Sequence, residues 1–320
     1  MEPTTLQEAI VFFSNPTNCR EWIVSRRWPD GVQCPRCGSS KVTFLEKYNR
    51  WQCSARHASR QFTIKTGTIF EDSPLGLDKW LAAMWQVVND RNGISSWEVS
   101  RAIGVSQKTA WFMDHRIRHA LTMGSIDKLS GKVEADESFI GGKARNMHIN
   151  KRQRRITGTG GKDKTAVMGL LERGGKVRTV VIANRKKKVL QDEVRKHVEA
   201  GSALYTDALL SYSGLAGEFA HQVVDHAVQY VDGRIHTNGL ENFWSLLKRG
   251  ISGTYVSVEP FHLFRYLDEQ AFRFNHRKGE DGKPLSDFAR FDTAVRQIVG
   301  KRLTFDQLTG KVNGIQERPV

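Results

Sequence analysis

The spacing of apolar positions changes several times along the chain, and each change marks a different kind of element. From Thr5 to about Val24, Leu6, Ile10 and Phe13 recur at helical spacing, with a break at Asn15-Pro16. Between Cys34 and about Phe62 the apolar runs are short and strand-like, at Val42–Leu45 and at 51–53. From Leu77 to about Met123 the spacing is helical again. Beyond Lys132, short β-rich runs alternate with helical ones, the pattern of an α/β domain.

Within that last region the run from Val133 to Ile140 alternates, so Val133, Ala135 and Phe139 point one way and Glu134, Asp136 and Ser138 the other. Asp136 is thereby expected on a polar face. Glu137 shares the apolar side and is the weaker ligand candidate. Runs at 165–171 and 177–183 flank Arg173-Gly174-Gly175, a hairpin signal, and three antiparallel strands are expected. A helical stretch at 189–198 leads to the short run 203–207, which ends in Asp207. An acid at the carboxyl end of a strand, beside a strand carrying another acid, lies where open α/β sheets bind ligands. A further strand is expected at 222–225. The stretch 236–250 then has helical spacing and stops at Gly250, with Asn238, Glu241 and Lys248 on one face.

Charge adds a partner to this picture. The 320 residues carry 49 Lys and Arg against 34 Asp and Glu, a net +15, which is the footprint of a protein that binds nucleic acid. The helical region contains two short patterns joined at Gly104, the spacing of a helix-turn-helix. Ser106 is placed to cap the second helix. Ala110, Met113 and Ile117 form its apolar stripe, and Lys108, Arg116 and Arg118 remain for DNA. Trp80, Trp85 and Trp97 read as core residues. The stretch 143–164, with Lys151, Arg152, Arg154 and Arg155, has no apolar period and reads as an exposed loop against DNA. No stretch approaches the roughly 18 to 20 apolar residues that span a bilayer, so no membrane partner is expected. The acidic start Met1-Glu2-Pro3 lacks the basic and apolar parts of a signal segment, and a cytoplasmic protein is expected.

Three of the four cysteines stand together. Cys34-Pro35-Arg36-Cys37-Gly38 has the spacing of a thiolate knuckle, and Cys53 with His57 can complete a tetrahedral Cys3His zinc site. Four protein ligands leave no position for water, so this zinc supports folding and not catalysis. A redox pair at Cys34 and Cys37 lacks the strand–motif–helix setting it needs. Cys19 reads as a small buried residue.

Acids at a strand, a strand end and a late helix, on a basic chain, suit phosphodiester chemistry with Mg²⁺ or Mn²⁺. Two ions roughly 3.5–4 Å apart activate the attacking oxygen and stabilise the leaving one. On this reading Asp136 bridges both ions, Asp207 holds one and Glu241 helps to hold the other. Lys248, with Arg249 beside it, contacts DNA phosphate.

The chain resembles bacterial insertion-sequence transposases of the DDE class that carry an N-terminal zinc ribbon and an RNase H-like catalytic domain of the ISXO type. The resemblance rests on Cys-Pro-Arg-Cys-Gly at 34–38, Gly-Thr-Ile-Phe-Glu-Asp-Ser-Pro at 67–74, Lys-Thr-Ala-Trp-Phe-Met at 108–113, Ala-Asp-Glu-Ser-Phe-Ile-Gly-Gly-Lys at 135–143, and 236–250. It implies an α/β, RNase H-like mixed sheet flanked by helices, and excision and insertion of a mobile element through its terminal inverted repeats. The family's acids fall on Asp136, Asp207 and a third position that is Asn or Glu among members. Both Asn238 and Glu241 are present here. Glu241 is preferred, because an anionic oxygen holds Mg²⁺ better than an amide and Lys248 follows it at two turns. Many relatives have a second Cys-x-x-Cys knuckle, whereas here Arg56 stands in its last place and His57 follows.

The division expected is a helical segment at 1–30, a zinc ribbon at 31–66, a helix-turn-helix region at 75–125, a catalytic domain at 131–278 and an extension at 279–320. Double-stranded DNA is the expected partner, engaged by a homodimer or larger assembly because two ends must be brought together. The competing readings are a DNA-binding regulator that needs none of the carboxylates, and a nuclease that cuts without joining.

Overall fold

The break at Asn15-Pro16 divides the first helical stretch in two. The Asn15 side chain accepts the Thr17 N–H at 2.8 Å and Pro16 opens the next helix, giving α1 (Leu6–Phe13) and α2 (Pro16–Arg27). The computed structural model describes residues 2–311 apart from 123, 125–126, 142–147, 151–152, 154–163, 208 and 225–236. Its packing defines two units: the chain up to Thr122 together with the segment from Lys278, and Met123–Arg277.

After α2, β1 (Val42–Leu45), β2 (Arg50–Cys53) and β3 (Gln61–Phe62) form an antiparallel sheet in that order. Then come α3 (Leu77–Asn89), α4 (Ser96–Ile103) and α5 (Gln107–Ala120). Gly104 takes φ +63 at the turn between α4 and α5, a conformation that favours glycine. The Ser106 side chain caps α5 by accepting the Thr109 N–H at 3.2 Å.

The second unit is built on β4 (Lys132–Ile140), β5 (Thr165–Glu172) and β6 (Val177–Ile182), then α6 (Lys187–His197), β7 (Ala203–Asp207) and β8 (Ala220–Val224). The helices α7 (Asn238–Gly250) and α8 (Leu263–Asn275) follow. The sheet runs β6-β5-β4-β7-β8. The expected antiparallel trio β4, β5 and β6 is present, and β7 and β8 add to it in parallel. This is an RNase H-like mixed sheet. Val133, Ala135 and Phe139 join Leu190 and Val194 of α6 in the core on one face. Leu240, Phe243, Trp244 and Leu247 of α7, with Leu267 and Phe274 of α8, pack on the other.

The returning segment adds α9 (Asp287–Arg296) and α10 (Phe305–Leu308) to the first unit. Phe291 stacks on Trp22 with ring centres 5.3 Å apart, and Lys301 Nζ donates to the Ala120 and Thr122 carbonyls at the end of α5. The described residues of the segment expected as an extension, 279–311, pack with the N-terminal helices.

Candidate active site and metal centre

The sheet topology sets the two acids side by side. β4 and β7 are parallel neighbours whose pairing ends with Glu134 opposite Tyr205, so Asp136 and Asp207, each two residues further on, stand level with one another just past that ladder, while β4 continues against β5 to Ile140. Asp136 lies on the face covered by α7. Its Oδ2 accepts the Trp244 indole N–H at 3.0 Å and its Oδ1 the Glu137 N–H at 2.8 Å. Asp207 Oδ1 accepts the Leu209 N–H at 3.2 Å, which turns the chain into the short helical turn Leu210–Tyr212.

Burial pushes the Asp136 carboxyl up to about 6, the hydrogen bonds from Glu137 and Trp244 opposing the shift and the charges of Asp207 and Glu241 adding to it. Asp136, in the middle of β4, therefore feels the charges of both Asp207 and Glu241. Their oxygens are not gathered as closely as the ribbon ligands, since among the described residues only the Cys–His group has all its donor atoms within 4.8 Å of one another. A buried acid beside two others, with oxygen as the only donor type, suits a hard divalent cation.

Glu137, expected as the weaker candidate on the apolar side, is on that side but adjoins the same acids. Burial pushes its carboxyl up to about 7, with the Tyr212 hydroxyl donating to it and Asp207 and Asp136 raising it further. Tyr212 is completely buried. An acid inside an otherwise apolar alternation was the available signal.

Asn238, Glu241, Lys248 and Arg249 are all exposed along α7, while Leu240, Phe243, Trp244 and Leu247 are buried. Glu241 is near enough for its charge to add to the upward shift of Asp136.

A basic run that the sequence reading passed over adjoins this end of the sheet. Arg185, Lys186, Lys187 and Lys188 are exposed where α6 begins. Ser211, in the turn after Asp207, donates to the Arg185 carbonyl at 2.7 Å. Four consecutive cations at a helix start were the signal for it.

In the ribbon, Cys34 and Cys37 precede β1, Cys53 ends β2 and His57 lies between β2 and β3. Their ligand atoms all fall within 4.8 Å of one another, with Cys37 Sγ 3.7 Å from Cys53 Sγ and Cys34 Sγ 3.5 Å from His57 Nε2. A tetrahedral zinc with bonds near 2.3 Å sets sulfur atoms about 3.8 Å apart, so the donor set fits. His57 Nδ1 meets the Ala58 carbonyl at 2.8 Å, which leaves Nε2 facing the thiols. Burial opposes the Cys34 thiolate, but the N–H groups of Arg36 and Cys37 and the neighbouring thiols outweigh it and bring the thiol down to about 7. Cys19 stands apart, buried, its thiol donating to the Phe13 carbonyl at 2.9 Å.

The helix-turn-helix expectations divide. Ala110, Met113 and Ile117 are buried as expected and Lys108 is exposed, its ammonium 5.0 Å from the centre of the Phe305 ring. Arg116 and Arg118 are not available to DNA, because the last turns of α5 are buried on more than one side. Arg116 donates to the Glu71 carbonyl and lies over the Trp80 and Phe112 rings, and Arg118 is 2 % exposed. Trp80 and Trp85 are core residues, but Trp97 is 62 % exposed. It precedes the buried Val99 by two residues and so points away from the packed side of α4. Lys151, Arg152, Arg154 and Arg155 lie outside the described residues. No described helix is long and apolar enough to cross a membrane.

An RNase H-like sheet with one acid in the middle of β4 and another at the end of β7, in a chain that also folds a Cys3His ribbon, is the architecture of zinc-ribbon transposases. The comparisons agree. Residues 128–275 match the ISXO2-like transposase domain, and 15–58 match the transposase zinc-ribbon domain. An uncharacterized protein in transposable element ISH50 of Halobacterium salinarum is 31% identical over 258 residues, 75% of this chain and 84% of the relative. The chain belongs to the ISXO2-like transposase family.

Proposed function

We propose that this transposase binds the terminal inverted repeats of its insertion sequence and catalyses metal-dependent strand cleavage and strand transfer. The observation that carries the reading is the buried Asp136, which burial and the charges of Asp207 and Glu241 hold above the usual carboxylate range. Mg²⁺ or Mn²⁺ bound there would supply a Lewis acid and lower the pKa of the attacking hydroxyl.

The chain's own groups supply the rest. Asp136 and Asp207 offer oxygen donors from the neighbouring strands β4 and β7, and Glu241 brings a third from α7. Glu241 is preferred to Asn238 as the third ligand because an anionic oxygen holds Mg²⁺ better than an amide. Lys248 and Arg249 on α7 and the run Arg185–Lys188 offer cations to the phosphates of a DNA strand crossing the site. Lys108, at the start of α5, would meet bases as the first turn of a recognition helix does, and Lys151, Arg152, Arg154 and Arg155 would add backbone contacts. The ribbon at 31–66 holds structural zinc through Cys34, Cys37, Cys53 and His57, and the catalytic domain spans 131–278. A dimer or larger assembly would pair the two ends.

The test is incubation of the purified protein with DNA bearing the sequence that flanks its gene, with and without Mg²⁺. Joined products identify a transposase, cleavage without joining a nuclease, and tight binding without cleavage a regulator. In the first case Glu241→Gln is expected to lower cleavage more than about 100-fold, and Asn238→Ala by less than about 10-fold. The reverse order would move the third ligand to Asn238.

A further inference from the structure

β4 is fastened to α7 at two points on one face. Glu134, 1 % exposed, takes the Leu240 N–H at 3.1 Å through Oε2 and the Arg173 guanidinium at 2.8 Å through Oε1. One turn further along α7, the Trp244 N–H reaches Asp136 Oδ2. The space for the indole exists because the residue paired with Asp136 across β4 and β5 is Gly169. A Cβ there would stand 2.6 Å from Trp244 Cζ2 and 2.9 Å from Leu240 Cδ2.

We infer that Trp244 is a positioning residue for Asp136: its N–H, seated over Gly169, fixes the carboxylate plane and so strengthens the hold on the divalent cation. The inference rests on the reading of Asp136 as a metal ligand. The torsion that turns an aspartate carboxylate is broad and roughly two-fold, so an unrestrained side chain presents its oxygens in many directions. Here one oxygen is held by a peptide N–H and the other by the indole N–H. Each keeps lone-pair capacity for a cation, because a carboxylate offers about four acceptor sites. A lysine or arginine in place of the indole would orient the acid equally well, but its charge would compete with the metal. The indole is a neutral donor and leaves the full negative charge on Asp136. Glu134 acts on the same pair of elements, holding the first turn of α7 so that Trp244 arrives in register.

A packing role and a positioning role differ in what the N–H does. Substituting Trp244 in the full-length protein with benzothienylalanine keeps the outline of the ring and replaces N–H by sulfur. Binding of Mn²⁺ is read by electron paramagnetic resonance, and the melting temperature is followed without added Mn²⁺. The expected result is Mn²⁺ binding about 10-fold weaker than in the unsubstituted protein, with melting nearly unchanged. Trp244→Phe should show the same loss of affinity with some loss of stability. Gly169→Ala, which displaces the indole, should weaken Mn²⁺ binding as well. Mn²⁺ affinity within about twofold of the unsubstituted protein in the benzothienyl variant would overturn the inference, whatever the melting temperature. Failure of the underlying reading has a separate signature: Mn²⁺ binding in the unsubstituted protein that Asp136→Asn does not reduce.

Discussion

Gly239 lies so close to Glu134 that a Cβ on it would stand 2.8 Å from the Glu134 Oε2. The glycine is in the first turn of α7, and its missing side chain lets the buried carboxylate reach the helix N–H groups. Gly239→Ala should therefore push α7 off the sheet and destabilise the protein by roughly 1–3 kcal/mol, the usual cost of overpacking. Urea denaturation measures it, and a variant as stable as the original protein would mean that α7 is not seated against β4 in this way.

The acids at the sheet end make stability depend on pH. Asp136 rises from an ordinary 3.8 to about 6 and Glu137 from 4.5 to about 7 on folding. The folded state thus holds protons on these two groups that the unfolded chain releases, so their contribution to stability is greatest below about 4 and declines as pH rises through 4 to 7. Without added divalent metal, Asp136→Asn should flatten that decline. At pH 8 it should make the protein more stable, by a gain on the order of 3 kcal/mol. Melting curves at pH 5 and pH 8 test the sign, and a variant less stable than its parent at pH 8 would contradict it.

Removal of zinc should unfold the ribbon, because the short strands β1, β2 and β3 bury little besides Trp51, Cys53 and Phe62. Hydrogen exchange after chelation should speed up through 34–62 and stay unchanged in β4, β5 and β7. Unchanged exchange in the ribbon would remove the structural role from the Cys–His group.

The cations at the start of α6 should appear in the salt dependence of DNA binding. Each phosphate contact contributes about −0.9 to the slope of log affinity against log salt on duplex DNA. Replacing Lys186, Lys187 and Lys188 by alanine is expected to make the slope shallower by about 1 or more, while Arg116→Ala leaves it unchanged because that guanidinium is spent on Glu71. An unaltered slope in the triple variant would separate this patch from the DNA.

Much of this architecture could be read from spacing. The alternation at 133–140, the glycine turn at 174–175 and the acid ending the run at 207 each reflect one strand or one turn, and local pattern carries that information. The ligand spacing of the ribbon is equally local. What escaped depends on contacts between distant segments. Arg116 and Arg118 look exposed on a helix wheel, and only the tertiary packing of α5 buries them. Trp97 looks like core by residue type, yet the face of α4 opposite Val99 meets nothing that covers it fully. The link from Gly169 through Trp244 to Asp136 joins three residues across a span of more than a hundred positions, which no periodicity encodes. The carboxylates were legible as a set, on a strand, at a strand end and on a late helix, whereas the approach of Glu137 to Asp136 and Asp207 was not, because it depends on the burial of its side chain against Tyr212.

The most direct test of the central claim compares the original protein with Asp207→Asn on DNA carrying the element end, scoring nicks with and without Mg²⁺. Metal-dependent nicking that falls more than about 100-fold in the variant, with DNA binding retained, is the predicted result. Nicking by the variant at the original rate, or nicking indifferent to Mg²⁺, would contradict the assignment of cleavage to these carboxylates.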